Sequence, residues 1–264
     1  ARRQPSQPTC WTDALVPDRV AGLRTVVRTT RFHRRIVACV SGHLVGIDCE
    51  MTGLDLKSDA LIEVAALVTD SDLCVLGEGI EVVITPPPEA LEQMGDFVRT
   101  MHANSGLLPL LEVGLDMTEA EERVLAYVRE FVPEPRRAPL AGNTIGTDRA
   151  FLARDMPTLE AHVHYRNVDV SSIKELARRW FPRAYYNTPA KNGNHRALAD
   201  IQESIEELRY YRDAVFVAPP GPQPVDLRAL ARRHQGVLTG NRHPKAPAVV
   251  PDAAVPDATT PSRS

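Results

Sequence analysis

Cysteine is scarce in this chain: four residues among 264, at positions 10, 39, 49 and 74, with no Cys-x-x-Cys pair. So few, so spaced, they are too sparse for a disulfide-stapled secreted scaffold of this length, and they fit a reducing cytoplasm. Positive charge is not in excess either. Thirty-one Lys and Arg against 34 Asp and Glu leave a net charge of −3. That balance excludes a protein that coats nucleic acid through a broad basic field, because such binding draws on many cationic contacts to phosphate. Any nucleic-acid contact is expected to be local. No apolar run reaches the roughly 20 residues that span a bilayer, and no charged-then-apolar signal segment opens the sequence. The expectation is a soluble, cytoplasmic protein with no membrane partner. There is no internal repeat.

What the chain does have is an apolar fraction of 43%, enough for one sizeable core in a single domain with loose ends. Residues 1–42 mix Pro, Thr and many Arg without sustained periodicity, and read as a poorly ordered extension. Residues 218–264 are rich in Pro and Ala, a composition that buries too little apolar surface to offset its ordering entropy. They read as a disordered tail, although 225–238 (VDLRALARRHQGVL) has the makings of a short basic helix. Between these ends, residues 43–217 alternate strands and helices. Strands are expected at 44–49, 61–69 and 74–84, rich in Val, Ile and Leu, and their short connections imply antiparallel neighbours. Thr118-x-x-Glu121 has the form of a capping box opening an amphipathic helix, with Val124, Leu125, Val128 and Phe131 on one face and Pro133 ending it. Short strands at 140–142 and 167–170 each precede a helical segment, near Thr147 and Ser171. Leu198, Ile201, Ile205 and Leu208 mark the buried stripe of a last helix. This is an α/β pattern, a mixed sheet flanked by helices.

In VGIDCEMTGL (45–54), Asp48 and Glu50 share one face of a strand, about 6.6 Å apart by backbone rise, while Val45, Ile47 and Cys49 face the other way. They lie at the carboxyl end of that strand, where open α/β sheets usually bind ligands. Taken alone, the pair could be solvated strand-end acids. Asp148, in AGNTIGTDRAFL, follows another short strand, and an acid in the first turn of a helix is also what the helix dipole favours. Asp200 sits beside Ile201 at the edge of the last helix's apolar stripe, with His195 five residues earlier, in the loop before the helix. Four acids gathered in one cleft would repel one another and resist ionising unless cations are bound. Hard oxygen ligands suit Mg²⁺ or Mn²⁺, and a nearby uncoordinated His suits two-metal phosphoryl chemistry.

Asp-x-Glu, then Asp within G-N-[ST]-x-x-x-D, then His-x4-Asp, in this order, resembles the DEDDh group of 3′ to 5′ exonucleases. Within that group VGIDCEMTGLD, AGNTIGTDRAFL, HYRNVDVSSIKELARRW and NHRALADIQESIEELRYYR are similar to the oligoribonuclease family, over about residues 43–216. The resemblance implies an RNase H-like mixed five-stranded sheet, a homodimer, and removal of 5′-mononucleotides from very short single-stranded RNAs, dinucleotides especially, with two divalent cations, Mg²⁺ or Mn²⁺. It makes Asp48, Glu50, Asp148 and Asp200 metal ligands and His195 the general base for the attacking water. It makes Leu54 and Phe97 apolar supports for the bases, with His102 near the phosphates. Thr144, Arg166 and Ser171 become a cap over a 5′ phosphate, and Tyr165 a residue that reaches the partner's site. Phe97 stands where the family often has Trp, Thr144 where it often has Ser, and Ala199 where an acid often precedes the last ligand. Two rivals remain at this stage: a DNA-directed proofreading exonuclease, which should lack the HYR…S segment, and a catalytically dead binding module, which should lack one of the acids.

Overall fold

The computed structural model describes residues 42–190 and 196–235. The expected N-terminal extension up to residue 41, His195 and residues 236–264 lie outside the described residues. The chain divides after Phe216 into two units.

The first unit opens with three strands, β1 (Leu44–Met51), β2 (Leu61–Thr69) and β3 (Val75–Val83), followed by helices α1 (Pro88–Glu92) and α2 (Asp96–Asn104), a 3-10 turn (Leu108–Val113) and α3 (Met117–Phe131). Then come β4 (Pro139–Gly142), α4 (Ile145–Asp155), α5 (Pro157–His162), β5 (His164–Asp169), α6 (Val170–Trp180), α7 (Pro182–Tyr185) and α8 (Ala197–Val215). The strands form one sheet in the order β3-β2-β1-β4-β5. β1 pairs antiparallel with β2, and β2 with β3, as their short connections require, whereas β1–β4 and β4–β5 are parallel. This mixed five-stranded sheet between helices is the RNase H-like arrangement. Ile84, expected inside the third strand, lies just beyond it in a lone bridge to Leu115, and β5 starts earlier than the sequence pattern suggested, at His164.

β2 is buried along its whole length because both faces of the sheet are covered. Val64, Ala66 and Val68 pack with Val45, Ile47, Cys49, Val124 and Val128, the last two from α3. Ala65 and Leu67 pack with Ile201, Ile205 and Leu208 of α8 on the opposite face. Gly46 belongs to that second face, and a Cβ there would lie 2.8 Å from Ile201 Cγ2 and 3.0 Å from the Leu67 carbonyl oxygen. The missing side chain lets α8 lie directly on β1, and Asp48 and Glu50, two and four residues further on, share the α8 face.

The capping box proposed at Thr118 is corrected. The N-cap of α3 is Asp116, with extended backbone and a carboxylate that accepts from the Glu119 N–H at 2.9 Å. Thr118 is already inside the first turn. Glu121 turns instead to the start of α5, where its carboxylate accepts from the N–H groups of Thr158 and Leu159.

The second unit holds α9 (Pro224–His234), fully exposed, in the segment expected to lack order. Pro at its start, Asp226 in its first turn and Arg232, Arg233 and His234 in its last arrange charge as the helix dipole favours. That local pattern outweighed the Pro/Ala-rich surroundings.

Candidate active site

Asp48 and Glu50 come from the end of β1 and Asp200 from the first turn of α8. One carboxylate oxygen from each lies within 4.8 Å of the others. Asp148, in the first turn of α4, does not complete this trio in the same way. It is buried, its Oδ1 accepts the Cys49 backbone N–H at 3.0 Å, and the Cys49 thiol donates to it as well. Asp148 thus approaches from the β4 side and is held to β1 through Cys49, close enough that its charge is the main neighbouring influence on Asp48.

The electrostatics are those of acids short of counter-charge. Burial first, then the charges of Asp148, Glu50 and Asp200, push the Asp48 carboxyl up to about 9. Glu50 rises to about 8, through burial and then Asp200, Glu63 and Asp148, with Arg196 pulling the other way. Asp148 is pushed up to about 6 by burial, against the opposing pull of its hydrogen bonds. Oxygen-only donors converging in a low-dielectric recess, each reluctant to ionise alone, fit a hard divalent cation and favour its binding as pH rises.

Leu54 and Phe97 are exposed, at 75% and 81%, as bases stacking on them would need. The Leu54 loop is held from below: Asp59 accepts from the Thr52 hydroxyl at 3.1 Å and from the Asp55 N–H at 2.8 Å. His102 is buried. Its ring has no exposed surface; Nε2 lies 2.9 Å from the Met51 carbonyl oxygen and Nδ1 3.9 Å from Glu50 Oε2. The ring thus ties α2 to the last residues of β1, beside Glu50.

Thr144 and Ser171, far apart in sequence, meet with their hydroxyl oxygens 3.1 Å apart. Thr144 adopts a left-handed backbone, φ 55°, uncommon for a β-branched residue. Its N–H is shared by Asp169 Oδ1 and Ser171 Oγ. Ser171 Oγ in turn donates to Asn143 Oδ1, whose amide nitrogen is tied to Ser204 and Glu207 on α8. Arg166, also assigned to this cap, is exposed and lies with its guanidinium 5.4 Å from the centroid of the Tyr165 ring. Among the described residues it makes no hydrogen bond to Thr144 or Ser171. Tyr165, 72% exposed on the edge strand β5, has its ring centroid 4.4 Å from that of His164, and β4 separates its strand from β1.

Sequence reasoning missed two groups. One is Asn143, whose place next to Gly142 was read only as part of a motif. The other is an ionic cluster of the buried Glu63 with the half-buried Glu81 and Arg196; its signal was there in the single charge interrupting the apolar run LIEVAALVT.

Fold and acid cluster together define an exonuclease domain, and the family model described as Exonuclease (RNase T) matches residues 45–208. A protein of Streptomyces coelicolor named oligoribonuclease is 66% identical over 195 residues, covering 74% of this chain and 98% of that protein. One of Cutibacterium acnes with the same name is 64% identical over 197 residues, 75% and 98% of the two chains. A product-bound structure of exonuclease I aligns with a TM-score of 0.51 at 14% identity, over 66% of this chain and 44% of that one, a likeness of fold alone. The chain belongs to the oligoribonuclease family.

Proposed function

We propose that this chain hydrolyses very short single-stranded RNAs from the 3′ end, dinucleotides especially, releasing 5′-mononucleotides. The observation that carries the reading is the convergence of Asp48, Glu50 and Asp200 at the carboxyl end of β1, with Asp148 beside them, in a chain of this family. These four acids would hold two divalent cations, Mg²⁺ or Mn²⁺. When bound, such cations supply charge stabilisation to the phosphate and a more acidic water.

His195 takes the proton from the attacking water. The water oxygen bonds to phosphorus, the P–O3′ bond breaks, and the neighbouring nucleotide keeps its 3′ oxygen, which takes a proton from solvent water to become a hydroxyl. Leu54 and Phe97 support the bases from exposed positions. Thr144 and Ser171 close on the terminal 5′ phosphate, and Arg166 swings from the Tyr165 ring to join them. Tyr165 of one copy reaches the site of a second copy, in a homodimer paired through the β5 side, and the enzyme works in the cytoplasm. Among the described residues no helix is long and apolar enough to cross a membrane.

The test is turnover of 5′-phosphorylated RNAs two to seven residues long, against single-stranded DNA, by wild type and Arg166→Ala. A charge-assisted Arg–phosphate contact contributes roughly 1.5–3 kcal/mol, so Arg166→Ala should slow a phosphorylated dinucleotide about ten- to a hundredfold and an unphosphorylated one far less. Equal losses on both, or wild-type preference for the heptamer or for DNA, would overturn the dinucleotide reading.

A further inference from the structure

We propose that Glu63, Glu81 and Arg196 form a positioning device: two carboxylates borne by the sheet seat the first turn of α8 and thereby hold Asp200 against Asp48 and Glu50. The inference rests on the functional reading above and adds residues that do not touch substrate.

Glu63 is wholly buried near the start of β2 and is the register partner of Glu50 on β1. Its carboxylate meets the Arg196 guanidinium, with Nη2 at 2.9 Å and Nε at 3.1 Å from Oε1, and its Oε2 accepts the Ala197 N–H at 3.1 Å. Glu81, on β3, accepts from Arg196 Nη2 at 2.6 Å and from the Leu198 N–H at 3.3 Å. Arg196 is the N-cap residue of α8 and supplies no side-chain acceptor to the helix. The first N–H groups of the helix, which a local Ser or Asp would ordinarily satisfy, are therefore capped from two strands. Asp200 follows at once, its N–H donating to the Arg196 carbonyl at 3.0 Å.

A local cap would end the helix neatly but would not say where the helix stands. Caps carried by β2 and β3 refer the helix start to the same sheet whose next strand, β1, carries Asp48 and Glu50. Stability alone is a poor reason for the cluster, since burying the Glu63 carboxylate with a half-buried guanidinium is costly and a well-packed apolar substitute often does as well. Ala197 and Ile201, both buried in the α8 layer, already supply such packing. Registration is different: a metal site loses affinity when the groups that orient its ligands are removed, and displacement of a reacting group by about 1 Å can cost about a hundredfold in rate.

The experiment uses the full chain with Mn²⁺ as probe. Calorimetric Mn²⁺ affinity, kcat and KM on a phosphorylated dinucleotide, and thermal midpoint are measured for wild type, Arg196→Gln, Arg196→Lys and Glu81→Gln. Glu81 is partly exposed, so its variant remains informative if Arg196→Gln fails to fold. The expected result is that Arg196→Gln weakens Mn²⁺ binding about tenfold and lowers kcat about ten- to a hundredfold with KM within about threefold, and that Glu81→Gln does the same to a smaller degree. Arg196→Lys should recover part of the loss, because the charge returns without the fork that spans both acids. Folded variants with Mn²⁺ affinity and kcat within about twofold of wild type, whatever their thermal midpoint, would overturn the proposal. Because Mn²⁺ affinity needs no RNA, failure of the functional reading would appear instead as wild type that does not turn over short RNA.

Discussion

Replacing Asp48 by Asn should abolish turnover and yet make the metal-free protein more stable at neutral pH. In the folded chain the Asp48 carboxyl keeps its proton up to about 9, burial being the largest cause and Asp148 the next; in the unfolded chain it ionises near 3.9. Between those values the folded state binds the extra proton, so stability falls as pH rises, by about 1.4 kcal/mol per pH unit for one such group. From pH 5 to pH 8 that amounts to at most about 4 kcal/mol. Glu50, raised to about 8, competes for the same protons, so the share removed by one substitution is about 2 kcal/mol, or about 4–8 °C in Tm for a domain of this size. Asn has the shape of the neutral acid and nothing to titrate. The assay is urea unfolding in EDTA at pH 5 and pH 8, wild type against Asp48→Asn: the variant should be the more stable at both, by a margin that widens from pH 5 to pH 8. Mn²⁺ at a hundred times its Kd should then restore about 2.7 kcal/mol to wild type and little to the variant. Parallel pH dependences, or equal stabilisation of both proteins by Mn²⁺, would refute the argument that these acids are held together against their own charge.

Two other substitutions probe how the site is held. Gly46→Ala places a methyl group against Ile201 Cγ2 and the Leu67 carbonyl, which should cost about 1–3 kcal/mol in thermal unfolding and lower kcat as α8 is pushed off β1; an added Ile201→Ala, which removes Cγ2, should recover part of the loss in kcat. Thr144→Gly relieves a left-handed backbone at φ 55° and should gain about 1 kcal/mol of stability, while slowing phosphorylated dinucleotides more than unphosphorylated ones.

Much of the fold was legible because it follows from period and punctuation. The alternation in VGIDCE separated Asp48 and Glu50 from Val45, Ile47 and Cys49, and the structure keeps that separation, with the apolar three packed toward α3. The stripe Ile201, Ile205, Leu208 packs on the sheet as its spacing requires. The cap of α3 was misread because Asp116 and Thr118 are both good capping residues two positions apart, and only the backbone angles at Asp116 decide between them. That His102 is buried was not legible for a related reason: a helix carries a His on any face, and which face turns inward depends on the tertiary structure.

By itself, then, the sequence determined which acids exist, the strand face and helix turn each occupies, and the family to which their order belongs, because these depend on short-range periodicity and on motif spacing. Only the tertiary structure decided that Asp48, Glu50 and Asp200 converge while Asp148 is turned toward Cys49, that Thr144 and Ser171 meet across 27 residues, and that Glu63 and Glu81 reach over more than a hundred residues to the start of α8. Those pairings depend on how a helix lies across a sheet, which is set by the shape left where Gly46 has no side chain and by where buried charges find partners. Neither quantity is local in the chain.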